Sequence, residues 1–340
     1  MNDMPRCCTS RLFASLAAAL LLAWVPLRAV AQFGIQSNPW SYFVPDDINL
    51  PPKGDKLLTV MSPQPGTPDV PVPAVYFKPV GAARGAVIIV NAPSGWTNAR
   101  EGHFGRALSS AGYAVLAIDS NGPRGAGNTL IDNTRLSFYA QLRDAFAARR
   151  YLIANGHAAG RIAIMGSGRG GTIALMAADR SFLQDETERF ALAVALTPGC
   201  MFQPKSPKPA GEVLLVVGDK DDIAGAGACQ DLVRDYASAG GVVKVKNYPG
   251  ASSGFEGNPA MTRRVRDAFT ETFVNCRIPV EPDGRFIVGE RAFPDAESAA
   301  LVAEMRRTCM GKGASIWTNL TQKASVTLEV IDFLDSSFRK

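Results

Sequence analysis

Residues 162–171 read Ile-Ala-Ile-Met-Gly-Ser-Gly-Arg-Gly-Gly. An apolar run of strand length passes through a glycine cluster directly into a helical pattern, so two backbone segments must meet more closely than side chains allow. A turn of this kind ends a buried strand, and the rest of the chain supplies that strand's neighbours. β-like runs recur at 57–61, 73–77, 86–90, 113–118, 161–165, 191–196, 213–218 and 242–248. The later ones are nearly all apolar, as strands covered on both faces are. Three- and four-residue spacing of apolar positions predicts helices over 100–111, 134–155, 170–179, 228–239, 259–275 and 322–338. Strand and helix alternating in this way predict an α/β fold: a mostly parallel central sheet with helices on both faces.

Four segments are expected. Residues 1–31 have the form of a secretory signal peptide. Arg6 and Arg11 precede the apolar run Leu12 to Val25, Pro26 breaks it, and Ala29-Val30-Ala31 offers a cleavage site ahead of Gln32. The run is short for a membrane span, which argues against a retained anchor, and no cysteine follows it to carry a lipid. Residues 32–70 are expected to form an irregular lead-in, rich in Pro, Asn and Asp through residue 56. Residues 71–276 form the main domain, and 277–340 a less regular C-terminal extension packing on the same domain.

Beyond the leader the chain keeps four cysteines, Cys200, Cys229, Cys276 and Cys309. An even number in an exported chain points to two disulfides and a periplasmic or secreted location, with three pairings open. No C-x-x-C spacing and only two histidines, His103 and His157, argue against a metal site. The net charge of +5 is not gathered into a stripe, so no nucleic-acid partner is expected, and no membrane span remains after cleavage.

The glycine cluster admits two readings. Gly166, Gly168 and Gly171 match G-x-G-x-x-G, the dinucleotide fingerprint. That motif belongs on the first strand of its unit, with an acidic residue ending the next one. Here it follows a late strand, and the next ends in Thr197-Pro198-Gly199, so no nucleotide or other cofactor is expected. The alternative is a nucleophile elbow, G-x-nucleophile-x-G. With Gly166 and Gly170 as its outer glycines, the apex falls on Gly168, and Ser167 stands one residue early. Centring on Ser167 would make the flanks Met165 and Arg169, both too bulky.

The chain resembles the dienelactone hydrolase family of α/β-hydrolases over roughly residues 70–275. The likeness is carried by Asp119-Ser120-Asn121-Gly122-Pro123-Arg124-Gly125, by 161–171, by Thr197-Pro198-Gly199-Cys200, by Leu214 to Asp222 and by Tyr248-Pro249-Gly250-Ala251-Ser252-Ser253-Gly254-Phe255. The resemblance implies an α/β-hydrolase fold and a hydrolytic triad. The triad's acid falls on Asp221, its nucleophile on Gly168 and its histidine on Ser253, so two of three members are absent. It also implies the pairings Cys200–Cys229 and Cys276–Cys309.

Acyl transfer needs an attacking atom, a base and donors for the oxyanion. The expected donors are the backbone N–H of Arg169 and one from Ser94-Gly95. His103 and Ser167 are the only nearby substitutes for the missing base and nucleophile, since His157 precedes a strand and falls at the opposite edge of the sheet. Arg124 and Arg169 are candidates to hold an anionic ligand over the apex, or else to tie loops through carboxylates. Asp219, Asp221 and Asp222 resemble the start of a calcium loop, but no glutamate closes it. The reading is a non-catalytic or very weakly active protein that binds a small ester, lactone or anionic ligand or acts in interaction. The alternative is an active serine hydrolase of small esters or lactones using Ser167 or another unusual constellation.

Overall fold

The computed structural model describes residues 50–182 and 188–339. The leader and the part of the lead-in before residue 50 lie outside them. In chain order the elements are β1 (Lys56–Gln64), β2 (Thr67–Phe77), β3 (Ala86–Val90), α1 (Glu101–Ser110), β4 (Ala114–Ile118), α2 (Phe138–Ala154), β5 (Ile162–Ser167), α3 (Arg169–Ala177) and β6 (Leu192–Leu196). There follow β7 (Phe202–Pro204), β8 (Glu212–Gly218), α4 (Gly227–Ser238), β9 (Val243–Tyr248), β10 (Val265–Thr272), β11 (Ile278–Val280) and β12 (Phe286–Val288). The chain closes with β13 (Arg291–Phe293), α5 (Ser298–Thr308), β14 (Gly311–Ile316) and α6 (Leu320–Phe338).

Eight strands form one sheet in the order β1-β2-β4-β3-β5-β6-β8-β9. The pairs β1–β2 and β2–β4 are antiparallel, and every other neighbouring pair is parallel. Strands β3, β4, β5 and β6 are buried along their whole length, as expected of a sheet covered on both faces. Ile162 and Ile164 of β5 point into the layer that holds α2 and α3. Ala163 and Met165 point the other way, toward Phe104 and Leu108 of α1 and Val330, Phe333 and Leu334 of α6. Period-two alternation assigns Ser167 to this second face.

Two expectations change. The lead-in is regular from Lys56 onward, because β1 and β2 form a hairpin across Pro65-Gly66, where Gly66 adopts φ 68°. Pro68, Pro71 and Pro73 obscure β2 in the sequence. They are tolerated because β4 pairs only with Ala74–Phe77, leaving the proline-rich half with β1 as its one partner. The second change is at 259–275, where the structure has strand β10 in place of the expected helix. Its partner β14 arrives from the C-terminal extension, so the apolar spacing of 259–275 taken alone cannot reveal the pairing. Within β10 and just after it, Thr270, Thr272, Phe273 and Val274 are β-branched or aromatic and suit an extended backbone.

The extension packs on the same unit as the main sheet. β11 pairs in parallel with β7, which begins a four-stranded sheet, β13-β12-β11-β7. Disulfides join Cys200 to Cys229 and Cys276 to Cys309. The first ties the segment after β6 to α4; the second ties the end of β10 to the end of α5. The loops they close span 29 and 33 residues, for which chain entropy gives about 3–4 kcal/mol each. Replacing Cys276 and Cys309 together with Ala is expected to lower the unfolding free energy by about 3 kcal/mol, read from the urea midpoint against wild type under non-reducing conditions.

Candidate functional site

The elbow at the end of β5 is built by four glycines with two different physical reasons. A Cβ on Gly166 would lie 2.3 Å from the carbonyl carbon of Gly170; one on Gly170 would lie 2.5 Å from Val90 O; one on Gly171 would lie 3.0 Å from Leu196 O. These three positions exclude side chains because the strands and α3 touch through their backbones. Gly168 is different. A Cβ there would meet only the Pro93 ring, at 3.2 Å, and what restricts the residue is its backbone, φ 55° and ψ −117°. Glycine relieves that strain and removes the side chain that would stand at the apex. Gly168 N–H donates to Leu196 O at 2.8 Å, and Gly168 O accepts from Thr172 N–H, so the apex is fixed to β6 and α3.

Asp221 follows β8 on a tight turn. Its Oδ1 accepts the N–H groups of Ile223 and Ala224, both at 2.9 Å. Burial, with Asp222 adding to it, pushes its pKa up to about 6 despite those donors. No imidazole reaches it. Asp222 accepts Ser315 N–H on both carboxylate oxygens at 3.0 Å, which ties the turn to β14.

Ser253 lies buried in the loop after β9, and both of its neighbours are pinned. Ser252 donates its hydroxyl to Trp317 O at 2.8 Å and accepts Trp317 N–H at 3.2 Å. Gly254 N–H donates to Thr197 Oγ1 at 3.1 Å. Thr197 has φ 41°, a positive value found at no other non-glycine position among the described residues. For a β-branched residue that is strained, and it holds the Ser253 loop against the end of β6.

Ser167 is not at the apex. It lies on the α1–α6 face and donates its hydroxyl to Glu256 Oε1. Ser167 is 5% exposed and Glu256 0%, and Glu256 Oε2 has no hydrogen-bond partner. The sequence reasoning missed Glu256. The signal was available three residues beyond Ser253, as an acid in an otherwise small and apolar loop, but nothing in the sequence aims it at β5. His103 lies on α1 with Nε2 3.0 Å from Thr327 Oγ1 of α6. Burial, together with Lys323 and Arg106, pushes its pKa down to about 4, so it is neutral at pH 7. Its hydrogen bond is to α6, and no contact joins it to Gly168, Ser167 or Asp221. His157 lies in the connection that leads into β5, away from the elbow.

The expected oxyanion donors fare unequally. Arg169 begins α3, so its backbone N–H has no partner within the helix. Gly95 N–H, by contrast, donates to Ala92 O at 2.9 Å and is not available. Arg100 donates to Ser94 Oγ and Gly95 O at 3.3 and 3.1 Å, and Glu101 accepts the N–H groups of Ala92 and Thr97 at 3.2 and 2.7 Å. The loop of Ser94 is thereby held from within.

Neither arginine is free to receive an anion. Arg124 makes a two-pronged pair with Asp144, both contacts at 2.8 Å, and also donates to Ser120 O. Arg169 is buried without a carboxylate. It donates to Gln141 Oε1 and Asn133 Oδ1 at 2.9 Å and to Leu136 O, and its guanidinium lies 3.7 Å from the Phe138 ring centroid. Burial pushes its pKa down to about 9. Loop-tying is therefore the role of Arg124, whereas Arg169 braces α2 and the 133–136 segment through neutral acceptors. Among the described residues no group of three or more His, Cys, Asp or Glu side chains is placed to hold a metal ion.

The ribbon of β10 and β14 joins the loops around the elbow. Glu271 N–H donates to Leu130 O and Phe273 N–H to Ile223 O, while Thr318 N–H donates to Met261 O and Asn319 N–H to Phe255 O.

The dienelactone hydrolase family matches residues 72–273. Among solved structures, a Klebsiella pneumoniae protein assigned as a dienelactone hydrolase is 20% identical, with a TM-score of 0.46, covering 59% of this chain and 89% of that one. Esterase 2 of Thermogutta terrifontis, in its apo form, is 14% identical, with a TM-score of 0.49, covering 63% and 90%. Its propionate-bound form is 15% identical, with a TM-score of 0.46, covering 62% and 89%. No curated protein matches the chain.

Because the folded-state pKa of Asp221 is raised, the native state holds its proton more tightly than the unfolded chain does. The penalty for ionising it is absent below about pH 4 and complete above about pH 6, so stability falls as pH rises through that window. Asp221→Asn keeps an acceptor for Ile223 and Ala224 and removes the charge. It is expected to gain stability over wild type by about 2–3 kcal/mol between pH 4 and pH 7, measured by urea unfolding at both values; an unchanged difference would refute the buried-acid account.

Proposed function

The chain belongs to the dienelactone hydrolase family, with its α/β-hydrolase fold, and from that premise we propose that it is an exported member that has kept the elbow and lost the hydrolysis. The observation that carries this reading is Gly168: the apex retains the strained backbone of a nucleophile position, φ 55°, with no side chain on it. Ser253 at the histidine position supplies no base. In a serine protease series, removal of the nucleophile or the base alone lowers turnover about 10⁶-fold, so loss of both leaves little beyond the background. Export to an oxidising compartment, periplasmic or extracellular, is supported by the leader and by the two disulfides.

With Arg124 and Arg169 engaged by protein groups, an interaction role is favoured over capture of a small anion at the apex. A neutral ester or lactone remains a fit to the family. Purified protein is expected to hydrolyse short p-nitrophenyl esters no faster than buffer with an inert protein.

One observation favours the other reading, an active serine hydrolase: the Ser167 hydroxyl donates to a buried carboxylate, which is a nucleophile with a base in contact. Burial of both groups weighs against it. Turnover well above background that disappears in Ser167→Ala and Glu256→Gln, but survives in His103→Ala, would establish the dyad and displace the non-catalytic reading. A second expectation concerns the apex itself. Gly168→Ser is expected to lower stability by about 1–3 kcal/mol through its positive φ and the Pro93 contact, and to leave esterase activity at background without a base; thermal unfolding and the same assay report both.

A further inference from the structure

The ribbon of β10 and β14, with the turn that leads into it, carries four exposed cations. Arg263, Arg264, Arg266 and Lys312 are all exposed. Most other arginines near them are paired: Arg306 with Asp132 and Glu271, Arg307 with Glu304. Among the described residues, none of the four stands within ion-pair distance of a carboxylate. The acids of the same ribbon face inward. Asp267 is buried and accepts from Phe269 N–H and Thr270 Oγ1, and Glu271 is buried against Asn133 and Arg306. Asp222, the acid reaching β14 from outside the ribbon, is occupied by Ser315 N–H.

Apolar groups protrude from the same element. Phe269 is 68% exposed and Val274 41%. Trp317, just past β14, is half-buried beneath the Arg264 guanidinium, 5.7 Å from its ring centroid.

We propose that this ribbon docks on a bilayer surface that carries anionic lipid. Charge complementarity comes from the four unpaired cations. The cations are spread from the turn before β10 to Lys312 on β14, an arrangement that suits a field of headgroups better than one small anion. The protruding Phe269 separates a lipid surface from a soluble polyanion. Ring burial is repaid at the headgroup–acyl boundary and not along a hydrated polymer. The inference does not depend on the loss of hydrolysis at the elbow.

The test is co-sedimentation of the leader-free chain, recovered after export, with vesicles of phosphatidylcholine alone and with phosphatidylglycerol added. Binding to the anionic vesicles only, released by raised salt, is expected. Arg263→Ser combined with Arg266→Ser should weaken it about tenfold, Phe269→Ser should weaken it severalfold, and Arg234→Ser on α4 should leave it unchanged. Thermal unfolding of each variant at the wild-type temperature keeps loss of fold apart from loss of binding. Equal binding to neutral vesicles, or insensitivity to both ribbon variants, would overturn the proposal. So would retention on heparin as strong as on vesicles and indifferent to Phe269→Ser, which would assign the ribbon to a soluble polyanion.

Discussion

Close backbone approaches at the elbow set the rest. β5 and α3 meet through Gly166 and Gly170, and α3 reaches β3 and β6 through Gly170 and Gly171. Any side chain at these three positions would force α3 off the sheet, and the packing of Ile173, Ala174 and Ala177 against the α2 side of the core would go with it. The turn is therefore retained for reasons of packing, whatever happens to the chemistry at its apex. Gly168 differs from the other three: no backbone meets a Cβ there, and its own torsion and the Pro93 ring are what restrict it.

This separation explains which parts were legible in the sequence. The parallel strands announce themselves as apolar runs, and the glycine cluster fixes which strand is central. The position of Gly168 follows from the outer glycines by elimination, since Met165 and Arg169 cannot flank a turn this tight. What could not be read depends on distant segments. β10 takes its partner from β14, some forty residues later, so its extended form is a property of the pair. Glu256 meets Ser167 only because the loop after β9 folds back beneath the end of β5. Arg169 looks like a cation beside an anion site, yet its place at the first turn of α3 directs it to Gln141 of α2 and into the interior.

Many of the polar groups around the elbow share one further property: they are already engaged by backbone in the resting structure. Glu101 holds Ala92 and Thr97, Asp222 holds Ser315, Ser252 holds Trp317, Thr197 holds Gly254, and the buried Lys323 of α6 donates to Ala99 O and Gly257 O. Net contributions of such bonds are about 1 kcal/mol apiece, more where a charge takes part. Catalysis asks for the reverse arrangement, with donors and bases aimed at charge that appears only in the transition state. Groups satisfied by the protein's own backbone stabilise the resting arrangement of the loops.

The strained Thr197 belongs to the same set of contacts. Positive φ at a β-branched residue costs of order 1–3 kcal/mol and persists only where surrounding contacts over-determine it. Here those contacts are the N–H of Gly254 and the pairing of Thr197 N–H with Val216 O. Thr197 thus holds the loop of Ser253 against the end of β6 through Gly254 N–H.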